Sequence, residues 1–512
     1  MAEFLYGVDF GACNLKCVRV GERRFLPVRL NTIDDGSYHT PTVIFYGKSK
    51  DGELQKIIGQ AALNKSEPEP ENLISGLKRK LEEKSWRQFL PALEREIAAP
   101  EVVEDVFQKI YTMATRNRRE GDIARAVVTV PVIFTKNQRK LIADAADKAG
   151  FKVEAVVNES FAALFSAKNL SDSLNVVFDF GGSTLDVSII KITGNEIHEL
   201  AASGIRLGGL DIDRDIFEKI LKPKVGDILD AAWDCLNKED FQMDFVREMK
   251  ESLYSEDADE EVSGEFISGY SGKKDFDKII LTRAEIDNLL ERENYGGKII
   301  ALLDELFDQL SEQEDCFDKS DVTKIWAVGG SLRIPYFRTL LENYFGKELF
   351  DAAHYDFEDV TDFLNGLEDK YLVVAGGAAN FLQKKNTVTA INAIPYRICY
   401  KLKKNLQAGL AKNAPASFET LAKKIDLSEL DSAGWKIELY QSFSDDANFS
   451  DAAYLESVAL NPALYEKKES PWLQLKMMRD GRLRLRVSER RILDDGESDS
   501  ILVEEIFIRP ED

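Results

Sequence analysis

Residues 175–190, NVVFDFGGSTLDVSII, repeat an arrangement already present at residues 6–20, YGVDFGACNLKCVRV. Placing Asp9 on Asp179 also places Phe10 on Phe180, Gly11 on Gly181 and Leu15 on Leu185. Each copy reads as an apolar strand, an Asp, a tight Gly turn and a second apolar strand. A single unit of this kind is more often a buried hairpin than a site. Two copies with matching Asp and Gly point to a duplicated fold whose hairpins face each other across a cleft. Gly turns let backbone N–H groups approach phosphate oxygens, since no Cβ stands in the way. Two carboxylates suit a hydrated divalent cation, which prefers oxygen ligands and keeps several of its waters.

At 512 residues the chain exceeds one ordinary core, and roughly two to four units are expected. Its formal charge of −23 argues against nucleic acid and anionic membrane surfaces as partners, because both need a basic face. The five cysteines (Cys13, Cys17, Cys235, Cys316 and Cys399) are scattered, without a CxxC pair, as in a reducing compartment. The three histidines lack ligand spacing, which disfavours a zinc or iron site. With no leader-like or membrane-length apolar run, the expected location is cytoplasmic.

Along the chain, residues 1–60 read as strands, and helical periodicity follows over 72–120 in LISGLKRKLEE and VVEDVFQKIYTMA. ARAVVTVPVIF is a continuous apolar run of the kind buried on both faces of a sheet. It leads into the helix KNQRKLIADAADKAG, for which Gly150 is the stop. Segment 211–320 reads as mainly helical and charged, with the acidic stretch 255–265 as solvated surface. VTKIWAVGGSLRIPYFRTLLENYF is strand, Gly-Gly turn and helix, and VVAGGAANFLQ is a helix rich in small residues. Beyond about residue 387, WKIELYQ, LQLKM, LRLRVS and ILVEEIFI alternate with period two, the pattern of half-buried antiparallel strands. No helical segment follows the last of them.

In this order, the two hairpins, VVTVPVIFTKNQRKLIADAADKAGF and IWAVGGSLRIP resemble the seventy-kilodalton heat-shock chaperones, whose nucleotide-binding domain belongs to the actin and sugar-kinase superfamily. The resemblance implies an α/β fold. A two-lobed actin-like ATPase domain of duplicated mixed sheets would occupy 1–385, with lobe I at about 1–170 and 371–385 and lobe II at about 171–355. An all-β sandwich resembling a substrate-binding domain would occupy 390–512. ATP or ADP with Mg2+ is the implied cofactor.

Carried over position by position, the resemblance places Asp9 and Asp179 near the metal. It places Lys78, Glu159, Asp179, Thr184 and Asp186 around the γ-phosphate and the attacking water. Gly11, Ala12, Cys13 and Asn14 match the first phosphate loop, and Gly181, Gly182 and Ser183 the second. Gly208, Gly209 and Lys250 match positions near the phosphates and ribose, and Gly329, Gly330, Ser331 and Arg333 the turn that receives adenosine. The chemistry is coherent by itself: phosphoryl transfer to water needs neutralised phosphate oxygens and an in-line nucleophile.

The sequence departs from that family in several places. Ala12 and Cys13 stand where the first loop usually carries two threonines, so backbone contacts persist while two hydroxyls are lost. Asn158-Glu159-Ser160-Phe161 replaces Asn-Glu-Pro-Thr, Ala155 replaces a basic residue on the surface that meets J-domain partners, and Glu251 and Tyr254 fill positions near the adenine. NTVTAINAIPYR replaces the acidic, leucine-rich linker. The expected function is a lidless, ATP-dependent chaperone-like protein whose β-domain holds unfolded or extended polypeptide, with J-domain proteins or exchange factors as co-chaperones. The alternative is a nucleotide-binding co-chaperone or adaptor with little turnover. An actin-like filament protein or small-molecule kinase is a third class, disfavoured by the β-rich C-terminal region.

Overall fold

The computed structural model describes residues 2–31, 38–66, 68–81, 83, 85–119, 121–168, 170–225, 239–255, 259–268, 275–311, 317–351, 354–355 and 372–391. Beyond these it describes the strand segments 397–402, 405–410, 423–424, 436–442, 453–459, 472–477, 483–488 and 502–508. Cys235, Cys316 and part of the 255–265 acidic stretch lie outside the described residues.

Two six-stranded sheets of one plan carry the first two-thirds of the chain. The first runs Lys152–Asn158, Ile123–Val130, Glu3–Phe10, Asn14–Val20, Phe25–Pro27, with Thr40–Pro41 also on the fourth strand. The second runs His354–Tyr355, Lys324–Val328, Ser173–Phe180, Leu185–Thr193, Glu196–Ile205, Thr389–Ile391. In each, two parallel pairings lead up to the first strand of the hairpin and two antiparallel pairings follow it, and the second sheet ends in a further parallel pairing at Thr389–Ile391. The duplication seen in two short motifs thus extends across both sheets, and the fold is the two-lobed actin-like one.

Apolar periodicity explains how each lobe closes. The Ala99–Thr115 helix buries Val102, Val103, Val106, Phe107 and Ile110 on one face, and Phe107 stacks on Phe10 of the first hairpin with ring centroids 5.6 Å apart. Burying a side chain of that size contributes on the order of 2 kcal/mol. The Lys136–Ala149 helix starts at Thr135, whose side chain accepts from the Gln138 N–H, and ends at Gly150 with φ +114°, as the sequence indicates. The small-residue helix Val373–Lys384 lies against the first sheet and the helix Glu159–Leu164: a Cβ on Gly7 would sit 2.0 Å from the Ala375 carbonyl oxygen, and one on Gly377 1.8 Å from that of Ala162. Phe161, Phe165 and Phe381 share a further core with Val177 and Trp326 of the second sheet, joining the lobes beneath the cleft.

Four segments differ from their sequence reading. LISGLKRKLEE is a strand at Leu73–Ile74 and a single helical turn at Leu77–Lys80, because Gly76 takes φ +60° and breaks the periodicity. The largely helical segment after residue 211 contains an antiparallel hairpin, Glu261–Ser268 with Asp275–Thr282. The apolar run from Ala124 ends as a strand at Val130, since Pro131 has no N–H for the ladder. Residues 389–391, placed around the start of the β-domain from sequence, pair in parallel with Glu196–His198 at the edge of the second lobe's sheet. The next described strand is Arg397–Leu402.

The remaining strands form two four-stranded sheets. Arg397–Leu402 lies between Asn405–Leu410 and Lys436–Ser442, with Ala453–Ala459 outside the latter. Lys423–Lys424, Trp472–Met477, Leu483–Ser488 and Leu502–Ile508 form the other sheet. Alternate residues Ile437 and Leu439, Leu473 and Leu475, and Leu483, Leu485 and Val487 are buried. That is the inward face of a two-layer β structure. The backbone N–H of Lys136, in the first lobe, donates to Oε1 of Gln441 at 3.2 Å.

Candidate functional site

The two hairpins meet at one cavity, lined from the first by Asp9, Gly11, Ala12, Cys13, Asn14 and Lys16 and from the second by Asp179 and the Gly181–Thr184 turn. The loops are fixed through their carbonyls. Thr42 Oγ1 donates to the Gly11 oxygen at 2.8 Å and the Thr42 N–H to that of Cys13 at 2.8 Å. In the second loop, Ser331 Oγ and the Gly209 N–H both donate to the Gly181 oxygen, and the Leu210 N–H donates to that of Gly182. Protein donors thus hold these carbonyls in place, as an anion-binding backbone requires. The loops also abut: a Cβ on Gly182 would lie 2.3 Å from Cys13 Sγ. Burial pushes the Cys13 thiol up, so the sulfur is a neutral wall.

The floor of the cavity is charged. Lys78 and Glu159, both buried, form an ion pair. Burial raises the Glu159 carboxyl to about 7 against the opposing pull of Lys78, with Asp9 and Asp186 adding to the rise. Asp9 behaves oppositely: burial would raise it, but Lys16 and Lys78 outweigh burial and hold it below its ordinary value. Both its oxygens are engaged, Oδ2 by Lys16 Nζ at 2.7 Å and Oδ1 by Thr129 Oγ1 at 3.1 Å. Asp179 is raised well above the usual range by burial and by the carboxylates of Glu159, Asp186 and Asp9. Asp186 is raised to about 6 by burial, against the lowering effect of bonds from Thr184 and the Val132 N–H. That amide reaches across from the first lobe to Asp186 Oδ1 at 2.7 Å, and Asp186 Oδ2 is buried without a hydrogen-bond partner.

The far wall fits a nucleoside. Gly329 adopts φ +98° with its Cβ direction 2.4 Å from the Phe180 oxygen, so only glycine turns the chain here. Gly330, Ser331 and Arg333 continue this wall, and Arg247, Lys250, Glu251 and Tyr254 face it. Lys250 is anchored by Asp213 at 2.7 Å and by the Gly209 oxygen at 3.2 Å. Across the mouth, Arg79 of the first lobe pairs with Asp211 of the second at 2.7 Å.

The cavity therefore gathers Asp9, Gly11, Ala12, Cys13, Asn14, Lys78, Glu159, Asp179, Gly181, Gly182, Ser183, Thr184, Gly209, Lys250, Gly329, Gly330, Ser331 and Arg333. Asp186 and Gly208 stand behind it. Gly208 packs on the Gly182 carbonyl, where a Cβ would come within 2.4 Å of the oxygen, so it supports the loop. Sequence reasoning missed Lys16, Asp213 and Arg247. For Lys16 a signal existed, because it is directly opposite Asp9 in the hairpin register.

A duplicated two-lobed fold with paired glycine loops and carboxylates about one cleft defines a protein of the actin-like nucleotide-binding class. The Hsp70 protein family model matches residues 5–360, and the chain belongs to that family. It is similar to the chaperone protein DnaK of Cenarchaeum symbiosum, 30% identical over 352 residues, covering 67% of this chain and 50% of that protein. It is also similar to the DnaK of Nitrosopumilus maritimus, 29% identical over 357 residues, covering 67% and 52%. The chain spans about half the length of these curated relatives. No helix among the described residues is long and apolar enough to cross a membrane.

The family implies a nucleotide with Mg2+, and the donor set accommodates a cation on one side. Asp179 sits among carboxylates that repel its charge, and Asp186 Oδ2 has no donor. Among the described residues no three His, Cys, Asp or Glu side chains form a metal cage. A hydrated cation keeps several of its waters and needs few protein oxygens, and Asp179 would be the residue to hold it.

Proposed function

We propose that this chain binds ATP and ADP with Mg2+ between its lobes and hydrolyses ATP, and that nucleotide state governs the holding of extended, unfolded polypeptide by the C-terminal β-region. The observation that carries the reading is the meeting of both hairpins, with Lys78 and Glu159, at a single cavity. A bound cation would neutralise charge on the phosphate oxygens. The chain's own groups do the rest. The loop amides orient the phosphates, Lys78 supplies positive charge beside them, and Glu159 orders water while accepting or returning a proton at its carboxylate near pH 7. J-domain and exchange-factor partners, and a cytoplasmic location, belong to the same proposal by relationship to DnaK chaperones. The described β-strands, with edges at Asn405–Leu410 and Ala453–Ala459, offer an extended peptide a place to add as a further strand.

Single-turnover hydrolysis of radiolabelled ATP tests the catalytic half. Lys78→Ala is expected to lower the rate about a hundredfold while the fold persists. A rate unaltered by that change would remove the enzymatic reading. Limited proteolysis of the 390–512 region with and without ATP tests the coupling, and identical patterns would refute it.

A further inference from the structure

The hairpins are near copies, yet one equivalent position carries opposite charge. In the second hairpin Asp179 pairs across the strands with Asp186, and in the first Asp9 pairs across the strands with Lys16. Both partners follow their Asp by the same spacing of seven residues. Lys16 lines the cavity, its side chain is only 16% exposed, and its ammonium meets Asp9 Oδ2 at 2.7 Å. With Thr129 on the other oxygen, each oxygen of Asp9 accepts a bond from a protein donor. A cation reaching this side of the cleft would have to displace Lys16.

We propose that Lys16 is a built-in counter-cation of the phosphate site: it occupies the Asp9 side where a divalent ion would sit and contacts the nucleotide phosphates itself, so that nucleotide binding depends little on Mg2+. This deepens the nucleotide-binding reading and rests on it. A lysine on a hairpin strand is fixed by the sheet register and needs no free ion. Its positive charge is present at any magnesium level, and in a site shielded from water such a charge acts strongly on phosphate oxygens. The loss of two loop hydroxyls at Ala12 and Cys13 fits a site in which a side-chain ammonium has taken over part of the phosphate contact.

The test is calorimetric titration of the full chain with ADP, in Mg2+ and in excess EDTA. Wild type is expected to lose less than about threefold in affinity on metal removal. Lys16→Met, which keeps the stem and removes the charge, frees Asp9, and its affinity in EDTA should fall at least about tenfold below that in Mg2+. Should Lys16→Met fail to fold by circular dichroism because Asp9 is left buried, Asp9→Asn with Lys16→Met removes both charges and keeps the Thr129 bond. That double variant should bind ADP in EDTA at least about tenfold more weakly than wild type. Wild type binding tightly in Mg2+ but losing more than about thirtyfold in EDTA would overturn the role of Lys16 and leave the nucleotide reading standing. Equal EDTA affinities of wild type and the double variant would likewise overturn it, reducing Lys16 to a packing partner of Asp9. No heat with ADP under either condition would remove the nucleotide reading and this inference together.

Discussion

Replacing Asp186 by asparagine should make the nucleotide-free protein more stable, increasingly so as pH rises. Burial lifts the Asp186 carboxyl from 3.8 to about 6. Between those values the folded protein holds a proton that the unfolded chain has released. Stability contributed by this group is therefore lost as pH climbs through the window, and the full penalty applies above it. Two pH units correspond to about 3 kcal/mol. Asparagine carries no charge and retains an oxygen for the Val132 N–H, but its amide nitrogen falls where Oδ2 has no partner, a pH-independent cost of about 1–2 kcal/mol. Removing this carboxylate also eases ionisation of Glu159 and Asp179, which works in the same direction. Unfolding free energies of wild type and Asp186→Asn from urea titrations, measured in EDTA from pH 5 to pH 8, should diverge by about 1–2 kcal/mol across that range, the rest of the penalty having accrued below about pH 5. A stability difference that stays constant with pH would refute the account, since a purely steric or hydrogen-bond effect has no such slope.

Gly377→Ala drives a methyl into the Ala162 carbonyl, a backbone atom that cannot swing aside, and should lower stability by about 2 kcal/mol or more. Urea denaturation reads this directly, and an unchanged midpoint would contradict the close approach of this helix to the helix Glu159–Leu164. Arg79→Ala removes the partly exposed pair across the cleft mouth, worth about 0.5–1 kcal/mol, so bound ADP should leave about two- to fivefold faster. Stopped-flow release of a fluorescent ADP checks this, and an unaltered off-rate would show that the pair does not hold the lobes together.

The sequence carried the fold where physics was local and repeated. Both hairpins, the Thr135-to-Gly150 helix and the period-two strands at 436–442 and 483–488 announced themselves through alternation, caps and glycine stops. Failures came where one residue overrode a pattern. Gly76 broke an apparent helix, and a hairpin lay hidden in a charged segment whose strands carry little apolar alternation. At the site, loop glycines were legible because a turn needs them. Lys16 was overlooked although it follows Asp9 at the spacing by which Asp186 follows Asp179, and Asp213 acquires its role only when the helix bearing Lys250 folds over it. Gly208, matched by resemblance to a position near the phosphates and ribose, packs on the Gly182 carbonyl, a contact that spacing alone does not show.

Residues 389–391 and Gln441 attach the C-terminal strands to different lobes. Among the described residues, the short segment is stitched along the edge of one sheet by successive backbone pairings, while Gln441 accepts a hydrogen bond from the Lys136 amide of the first lobe. A single neutral bond contributes only about 1 kcal/mol. Were the halves to rotate and that bond to break while the backbone pairing held, the segment at 389–391 would stay with the second lobe. The Lys136 end of the first lobe's helix is then the face uncovered, and solvent exchange of that amide marks the moment of release.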